Sequence, residues 1–459
     1  MTIWQRQGQK LLIFWKKQTN ASVNRKIFSA AIAVGLFTAL VKVVAIIKEV
    51  VVAWRFGTGN ELDAFLIALT IPSFIINLVG GSFSSALIPV YIQVLERKGG
   101  KAAQKLFSGV TICGLGFLSI AVILMLSTAS MYLPWIASGF SSEKLNLTFE
   151  YLCALSPLIL LSSLVIIWSS ILNAGEHFAL AASSPIVTPV ISIALLLCFK
   201  SWGIFALVAG LFLGTVLEVV LLGIGLRRQG ISLFPKWHGF DAHLRQVFSQ
   251  YIPMIAGGFL LSSAIIVDQA MAAMLSPGSV AVLNYSNRAI ASPMSLITTA
   301  LGSAAVPYLS KMIAVEDWIG LRQTLKKYLR LIFITTVPLA GIFIIFSQPI
   351  VQLLFQRGSF RLEDTYIVAD TQSFFALQIP FYIANLLLIK VVVSMQMSYI
   401  LKWVSGFALI LNIILNYVFM QWMGIKGIAL STSCVYLFSF LYLFFFASNK
   451  ITKKISSQK

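Results

Sequence analysis

Long runs of apolar residues, separated by short polar segments, dominate this sequence from end to end. Runs such as IALLLC (193–198) and VLEVVLLGIGL (216–226) are almost continuously apolar and do not alternate with polar residues. An apolar helix of about 20 residues crosses the ~30 Å hydrocarbon core of a bilayer, whereas a membrane β-barrel requires alternation. The pattern therefore predicts an all-α polytopic membrane protein with about twelve transmembrane helices.

The two halves of the chain contain similar segments in the same order. Three pairs support this: GSFSSALIPVY (81–91) with GSAAVPY (302–308), ALSPLILL (154–161) with ALQIPFYI (376–383), and WGIFAL (202–207) with MGIKGIAL (423–430). The matched prolines and glycines lie 218, 223 and 221 residues apart. Six spans per half place both halves in the same orientation, as parallel repeats. We therefore predict two six-helix lobes around a central cavity.

The predicted domain boundaries follow from this repeat and from the polar segments. They are a basic tail at 1–26, an N-terminal lobe at 27–228, a linker between the lobes at 229–244, a C-terminal lobe at 245–449 and a second tail at 450–459.

Composition and charge support a membrane protein and argue against a nucleic-acid partner. The 459 residues are 58% hydrophobic and only 11% charged, with a net charge of +19. Most lysines and arginines fall in segments on one predicted side, which is the cytoplasmic side under the positive-inside rule. Both termini are then cytoplasmic, and the positive charge is expected to contact anionic lipid.

Several charged residues lie inside predicted spans. Arg288 is the only charged residue between Leu283 and Ser310. A charge at mid-membrane costs roughly 2.5–3.5 kcal/mol on insertion scales, so it normally faces a protein interior or a wet cavity. Arg288 and Lys42 have no acid beside them in the sequence, and Lys48 and Lys390 add to them. Because guanidinium and ammonium groups bind phosphate, these four predict a positive cavity for an anionic substrate, with a diphosphate as the obvious candidate.

A second polar group suggests a cation site. Asp268 lies in the predicted seventh span, and Asn412 and Asn416 share one face of the eleventh because they are four residues apart. Thr432 follows in the twelfth span. One carboxylate with several neutral oxygens suits a small hard cation, although such residues also commonly join helices by hydrogen bonds. Both interpretations remain open.

Glycines and prolines inside spans predict a hinge. Gly80 and Gly81 weaken the second predicted span, and Pro293 bends the eighth. The sequence contains no nucleotide-binding loop and no supported nucleophile–base pair, so we predict a transporter without a cofactor rather than an enzyme. Its energy is then expected from a Na+ or H+ gradient or from the membrane potential.

Three motifs carry a resemblance to a known family. KEVVVAWRFGTGNELDAFLIA (48–68), NYSNRAIASP (284–293) and LFQRGSF (354–360) resemble the MviN/MurJ family of lipid II flippases, and the resemblance extends in order over residues 27–448. It implies the fold of the multidrug/oligosaccharidyl-lipid/polysaccharide exporter superfamily. It also implies that an undecaprenyl-diphosphate-linked peptidoglycan precursor moves from the inner to the outer leaflet of the bacterial cytoplasmic membrane by alternating access.

The resemblance also implies roles for individual residues. By family position, Arg288, Lys42 and Lys48 meet the diphosphate, Glu49 and Asp63 are cavity acids, and Asp268, Asn412, Asn416 and Thr432 form a sodium site.

Four departures from the family pattern are visible. Lysines 42 and 48 replace arginines, Ile75–Ile76 fall where a cationic residue is usual, and Asn416 replaces an aspartate. Many family members also have two more spans that form a groove for the lipid tail.

Those departures keep alternative functions open. The first alternative is a flippase for another lipid-linked oligosaccharide, such as an exopolysaccharide or surface-polymer precursor. A cation-coupled exporter of small molecules is less consistent with a positive cavity, and a scaffold without transport leaves the buried charges unexplained. The expected partners are a lipid-linked glycan, membrane lipids and cell-wall synthesis proteins, and we expect a monomer.

Overall fold

The computed structural model describes a protein built from long helices joined by short loops. It describes the backbone of residues 23–458, and the side chains of residues 34–458 apart from 79–82, 85, 250, 252–258, 260, 261, 292, 299, 300 and 302–307. The predicted tail at 1–26 falls mostly outside these residues. Val23, the first described residue, already belongs to the first helix.

The N-lobe contains nine helices in the described part of the chain. They are α1 (Val23–Phe56), α2 (Asn60–Lys98), α3 (Gly100–Ser127), α4 (Ala129–Ile136), α5 (Ser142–Leu155), α6 (Pro157–Ala174), α7 (Phe178–Ser183), α8 (Val187–Cys198) and α9 (Ile204–Arg228).

The C-lobe follows after a linker without helix at 229–241. Its helices are α10 (Ala242–Ala273), α11 (Ser279–Ala314), α12 (Trp318–Ile345), α13 (Ser347–Phe355), α14 (Leu362–Ala376), α15 (Ile379–Ser394), α16 (Tyr399–Met423) and α17 (Ile425–Gln458). The linker ends earlier than predicted because the Asp241 carboxylate caps α10, accepting the Leu244 N–H at 2.8 Å. The predicted tail at 450–459 is also helical as far as Gln458, since α17 continues through it.

The helices provide the predicted spans. Among the described residues, eight segments are long and apolar enough to cross a membrane, and α14 with α15 forms a ninth that bends by 41°. The long helices α1, α10 and α11, of 34, 32 and 36 residues, complete twelve. The predicted all-α architecture of two six-helix lobes is confirmed.

The backbone repeats the internal similarity seen in the sequence. Positive φ angles occur at Gly57 and Gly278, at Glu176 and Gln396, and at Gly203 and Gly424, which are 221, 220 and 221 residues apart. Gly203 and Gly424 also share nearly the same ψ, −137° and −134°. Only glycine adopts the φ and ψ angles of Gly203 and Gly424 without strain. The same tight corner therefore precedes the last span of each lobe.

Broken spans recur at matching places as well. Pro157 is in the first turn of α6 and Pro380 in the first turn of α15, where a proline needs no helical hydrogen-bond partner. The fourth span is therefore α5 with α6, and the tenth is α14 with α15.

The helices run alternately between two ends of the molecule. We call the end at which α1 finishes at Phe56 the distal end, and the end at which α17 finishes at Gln458 the proximal end. The linker at 229–241 joins the lobes at the proximal end, because α9 ends there and α10 begins there.

Candidate substrate site between the lobes

An ion pair joins the two lobes deep in the molecule. Glu49 of α1 accepts from Arg288 of α11, and the ammonium of Lys48 lies 2.8 Å from the same carboxylate. The Arg288 side chain remains 40% exposed, whereas that of Glu49 is only 13% exposed. Two cations therefore share one acid, and the group keeps a net charge of +1.

This pairing corrects one expectation from the sequence. Arg288 has no acid beside it along the chain, but the structure supplies Glu49 from the other lobe. The physical reason is that an isolated guanidinium inside a membrane protein is costly, and a carboxylate from a distant helix reduces that cost. Lys48 and Arg288 are brought together as predicted, with one net positive charge rather than two.

Two small cavities flank Arg288. One contains Thr70, Asn77 and Gln269 in its wall, and the other is lined by Lys48, Glu49 and residues of α9 such as Leu207. The exposed surface of the Arg288 guanidinium therefore borders open space between the lobes. The Arg288 guanidinium can donate hydrogen bonds to a phosphate oxygen while Glu49 holds it in place.

The other two predicted cations lie elsewhere. Lys42, on α1 of the N-lobe, is exposed and lines a larger cavity of about 540 Å³ whose other walls belong to the C-lobe, among them Asp268 and Asn287. Lys390 is exposed and lines neither this cavity nor the two that flank Arg288. Lys42 therefore borders a different cavity from the two that flank Arg288, and Lys390 borders none of these three.

The four residues of the predicted cation site come together. The Asp268 carboxylate accepts from the Asn412 amide at 3.0 Å, from the Asn416 amide at 2.7 Å and from the Thr432 hydroxyl at 3.4 Å. Asn412 is 2% exposed and Asn416 is fully buried. Three helices, α10, α16 and α17, therefore converge on one carboxylate.

The donor set fits a small hard cation. It contains one carboxylate, two amide groups and one hydroxyl, and Na+ prefers such oxygen ligands. The buried Asn416 Oδ1 has no hydrogen-bond partner among the described residues, which leaves an oxygen for a metal. Because the oxygen and nitrogen of an amide are assigned from hydrogen bonding, rotation of either amide could turn a second oxygen inward.

Asp63 does not join the central group, contrary to the expectation of a second acid there. It starts α2 at the distal end and accepts the Gly278 N–H at 2.7 Å and the Ala281 N–H at 2.9 Å. These are the first backbone donors of α11, which a carboxylate stabilises because they have no partner within the helix. An N-lobe side chain therefore holds the start of a C-lobe helix.

Lys144 extends this distal contact. Its ammonium lies 3.1 Å from the Asp63 carboxylate and 2.9 Å from the Asn60 side-chain oxygen. It also lies 3.9 Å from the centre of the Phe140 ring, a cation–π contact. Lys144 thus ties α5 to the residue that joins the lobes.

Loops from both lobes also meet at the distal end. Thr58 donates to Asp364, the Ser359 N–H donates to the Trp54 carbonyl at 2.8 Å, and the Ser359 hydroxyl donates to the Arg55 carbonyl at 2.9 Å. Gly358 has a φ of 60°, and a Cβ there would overlap Trp54. The LFQRGSF motif therefore closes the distal end against the loop after α1.

The predicted hinge residues lie in two helices, α2 and α11. Pro293 lies inside the continuous helix α11. Gly80 and Gly81 fall within α2 but lie outside the residues whose side chains are described. A hinge at these residues stays a prediction.

One known protein family matches most of this chain. The model of the MurJ lipid II flippases matches residues 52–458. The chain belongs to the MurJ family. Curated MurJ relatives include a probable lipid II flippase from Synechocystis sp., 26% identical over 91% of this chain and 80% of its own length. Another, named lipid II flippase MurJ, is from Burkholderia cenocepacia and is 26% identical over 88% of this chain and 80% of its own length.

Solved structures show that the MurJ fold extends over the chain. A lipid II flippase MurJ in an inward closed conformation superposes with a TM-score of 0.79, at 24% identity, over 92% of this chain and 90% of that one. An inward-facing multidrug transporter of the MATE family superposes with a TM-score of 0.78, at 13% identity, over 92% of this chain and 100% of that one. These likenesses show the fold of the chain.

Sequence reasoning missed the residues that close the distal end of this MurJ family member. Lys144 and Gly278 were not singled out in the sequence. The 221-residue offset of Gly278 from Gly57 was the available signal, since both glycines have a positive φ. The backbone groups that Asp63 binds have no signature in the sequence.

Proposed function

We propose that this protein is a flippase that moves lipid II across the membrane by alternating access. The observation that carries the proposal is the position of Arg288, whose exposed guanidinium lies between the lobes of a MurJ-type fold. Relatives named lipid II flippases favour this substrate over another lipid-linked oligosaccharide. The protein is therefore a transporter and not an enzyme.

The diphosphate is proposed to bind between the lobes, next to Arg288, Lys48 and Lys42. Glu49 contacts both Arg288 and Lys48, so it neutralises one of the two positive charges and leaves one net positive charge at this position. An incoming diphosphate competes with Glu49 for both cations, so substrate binding weakens the ion pair between α1 and α11. Weakening that pair frees one lobe to move against the other, as alternating access requires.

The orientation is proposed from the charge pattern. Lysines and arginines cluster near the proximal end, for example at Arg227, Arg228, Lys453 and Lys454. The positive-inside rule then places that end, with both termini, in the cytoplasm of a bacterial cell. The closed distal end faces outward, so this arrangement receives substrate from the inner leaflet.

A sodium ion is proposed to bind at Asp268, Asn412, Asn416 and Thr432. When bound, it supplies a positive charge that a membrane potential or sodium gradient can drive. The residues of this chain hold α10, α16 and α17 together around that charge. Coupling to H+ or to the membrane potential alone is the alternative source of energy.

The experiment that tests the function is complementation of a bacterium depleted of its own lipid II flippase. The protein should restore growth, and lipid II should become accessible at the outer face of the cell. The Arg288→Ala variant at the same expression level serves as the control. Failure to rescue, with restored export of a surface polymer in a strain lacking that flippase, would instead support the other lipid-linked oligosaccharide.

A further inference from the structure

A row of polar side chains on one helix faces the cavity inside the C-lobe. Gln378 precedes α15, and Tyr382 and Asn385 follow within it. All three line the cavity of about 540 Å³. Seven residues make about two helical turns, so Gln378 and Asn385 share one face. The broken tenth span thus presents two amides to this cavity.

Neither side-chain amide has a hydrogen-bond partner among the described residues, although Gln378 is only 4% exposed and Asn385 only 8% exposed. The Asn385 Oδ1 atom is buried without a partner among those residues. Buried amides are normally hydrogen-bonded, because leaving them unpaired is costly. The missing partner is therefore expected to come from a ligand.

Other polar side chains in the same cavity differ in this respect. The Asn284 amide donates to Gln269 at 3.1 Å and to the Val280 carbonyl at 2.9 Å. Asn412 donates to Asp268. Gln378 and Asn385 therefore differ from Asn284 and Asn412, whose side-chain hydrogen bonds contribute to the fold.

The cavity wall suits a neutral group with both donors and acceptors. Tyr382 and Tyr436 form an edge-to-face pair with ring centres 5.1 Å apart, which gives an aromatic surface beside the amides. Asp268 is already engaged by its own cluster. Amide side chains pair best with other amides, because each offers an N–H and a carbonyl. Acetamido groups and peptide bonds have this chemistry.

The cavity is also correctly placed relative to Arg288. Asn284 and Asn287 on α11 line it, while Arg288 on the same helix borders the two cavities between the lobes. A ligand with a diphosphate at Arg288 can therefore extend a neutral group around α11 into the C-lobe.

We infer that Gln378 and Asn385 bind amide groups of the substrate head group, the acetamido groups of its sugars or the peptide bonds of its stem. This inference rests on the proposed function and adds residues that recognise the head group to those that bind the diphosphate. Tyr382 supports the face of a sugar ring between the two amides.

The test compares two soluble probes on the purified full-length protein. One is a short-chain prenyl diphosphate, and the other is the same molecule carrying an N-acetylmuramyl pentapeptide. Asn385→Leu and Gln378→Met keep approximate shape and remove the hydrogen bonds. Each should weaken binding of the probe with the head group about five- to tenfold, while binding of the bare diphosphate stays within about twofold.

The matched control is Gln372→Met in α14. Gln372 is also a fully buried amide with an unpaired Oε1 among the described residues, but it does not line the cavity. It should leave binding of both probes unchanged. Asn385→Asp, which keeps the shape and an acceptor, provides a second variant if Asn385→Leu does not fold.

Three outcomes would overturn the inference, and they are distinguishable. If the Asn385 and Gln378 variants bind the head-group probe as tightly as wild type, the amides do not recognise it. If the wild-type protein binds neither probe, the proposed function itself fails. Weaker binding of both probes by Asn385→Leu would also count against the inference, because it indicates a general loss of structure.

Discussion

Arg288 shows how one residue serves both stability and function. Its pairing with Glu49 makes a guanidinium tolerable between the lobes, and its exposed surface leaves room for an anion. A carboxylate that holds an arginine in position also limits the rotamers that a ligand must fix on binding. The same contact is therefore available to be broken by substrate.

Replacing Arg288 by alanine should abolish transport while the protein still inserts and folds. Loss of a charge-assisted pair to phosphate corresponds to about 1.5–3 kcal/mol, or roughly 10- to 100-fold weaker binding. Arg288→Lys should retain part of the activity, because an ammonium keeps the charge but not the bidentate geometry.

Growth in a strain depleted of its own flippase and binding of prenyl diphosphate are the two measurements for these variants. Lys390→Ala is the matched control, since this exposed lysine lines neither the two cavities that flank Arg288 nor the one that Lys42 borders, and it should behave as wild type. Normal growth of the Arg288→Ala strain at native expression would refute a diphosphate role for Arg288.

Asp268 is the residue on which the proposed coupling depends. Asp268→Asn should make transport in vesicles insensitive to an imposed sodium gradient, because the only carboxylate among the four site residues is lost. Asp370→Asn, which removes an exposed carboxylate paired with Lys426 at 2.6 Å, should leave the sodium response intact. Equal rates for the wild-type protein with and without the gradient would make Asp268 a structural residue.

At the scale of helices, the sequence predicted the elements well because their cause is local. Each apolar run must be long enough to cross hydrocarbon, and hydropathy reports this directly. The repeat was also readable, since matched prolines and glycines mark it, and Pro157 and Pro380 do occupy helix starts while Gly203 and Gly424 occupy tight corners. Helix ends were less predictable: α10 begins at Ala242 because of the Asp241 cap.

The site was only partly predictable because its contacts join distant segments. Glu49 and Arg288 lie 239 residues apart, and spacing along one chain cannot reveal such a pair. Asp63 binds backbone N–H groups, which have no residue identity to detect. Asn412 and Asn416 were found because both lie on one face of one helix. Gln378 and Asn385 are seven residues apart, about two helical turns, so they too could have been placed on one helix face.

For the whole molecule, the distal contacts define one closed arrangement of the lobes. Thr58 of the N-lobe meets Asp364 of the C-lobe, and Ser359 meets the loop after α1. Transport by alternating access requires these contacts to separate in every cycle. A covalent link across them should therefore stop transport without unfolding either lobe.

A Thr58→Cys/Asp364→Cys variant joined by a short, reducible thiol cross-linker should lose transport and regain it after reduction. Asp370→Cys/Lys426→Cys is the matched control, because both residues lie in the C-lobe and their side chains are also in contact, 2.6 Å apart. Cross-linking there should have little effect on the movement of lipid II between the leaflets of vesicles. Unimpaired transport after complete linkage of positions 58 and 364 would contradict rocking of the lobes.

The carboxylate of Asp63 has a consequence for hydration. When the distal end opens, the Asp63 carboxylate separates from the two N–H groups at the start of α11. Water must then solvate all three groups at once. The polar crevice beside Asp63 has a volume of about 650 Å³, ample for water molecules that each take ~30 Å³ in the liquid. Opening is thus a wetting step, and osmolytes that are excluded from the crevice shift the balance towards the closed form.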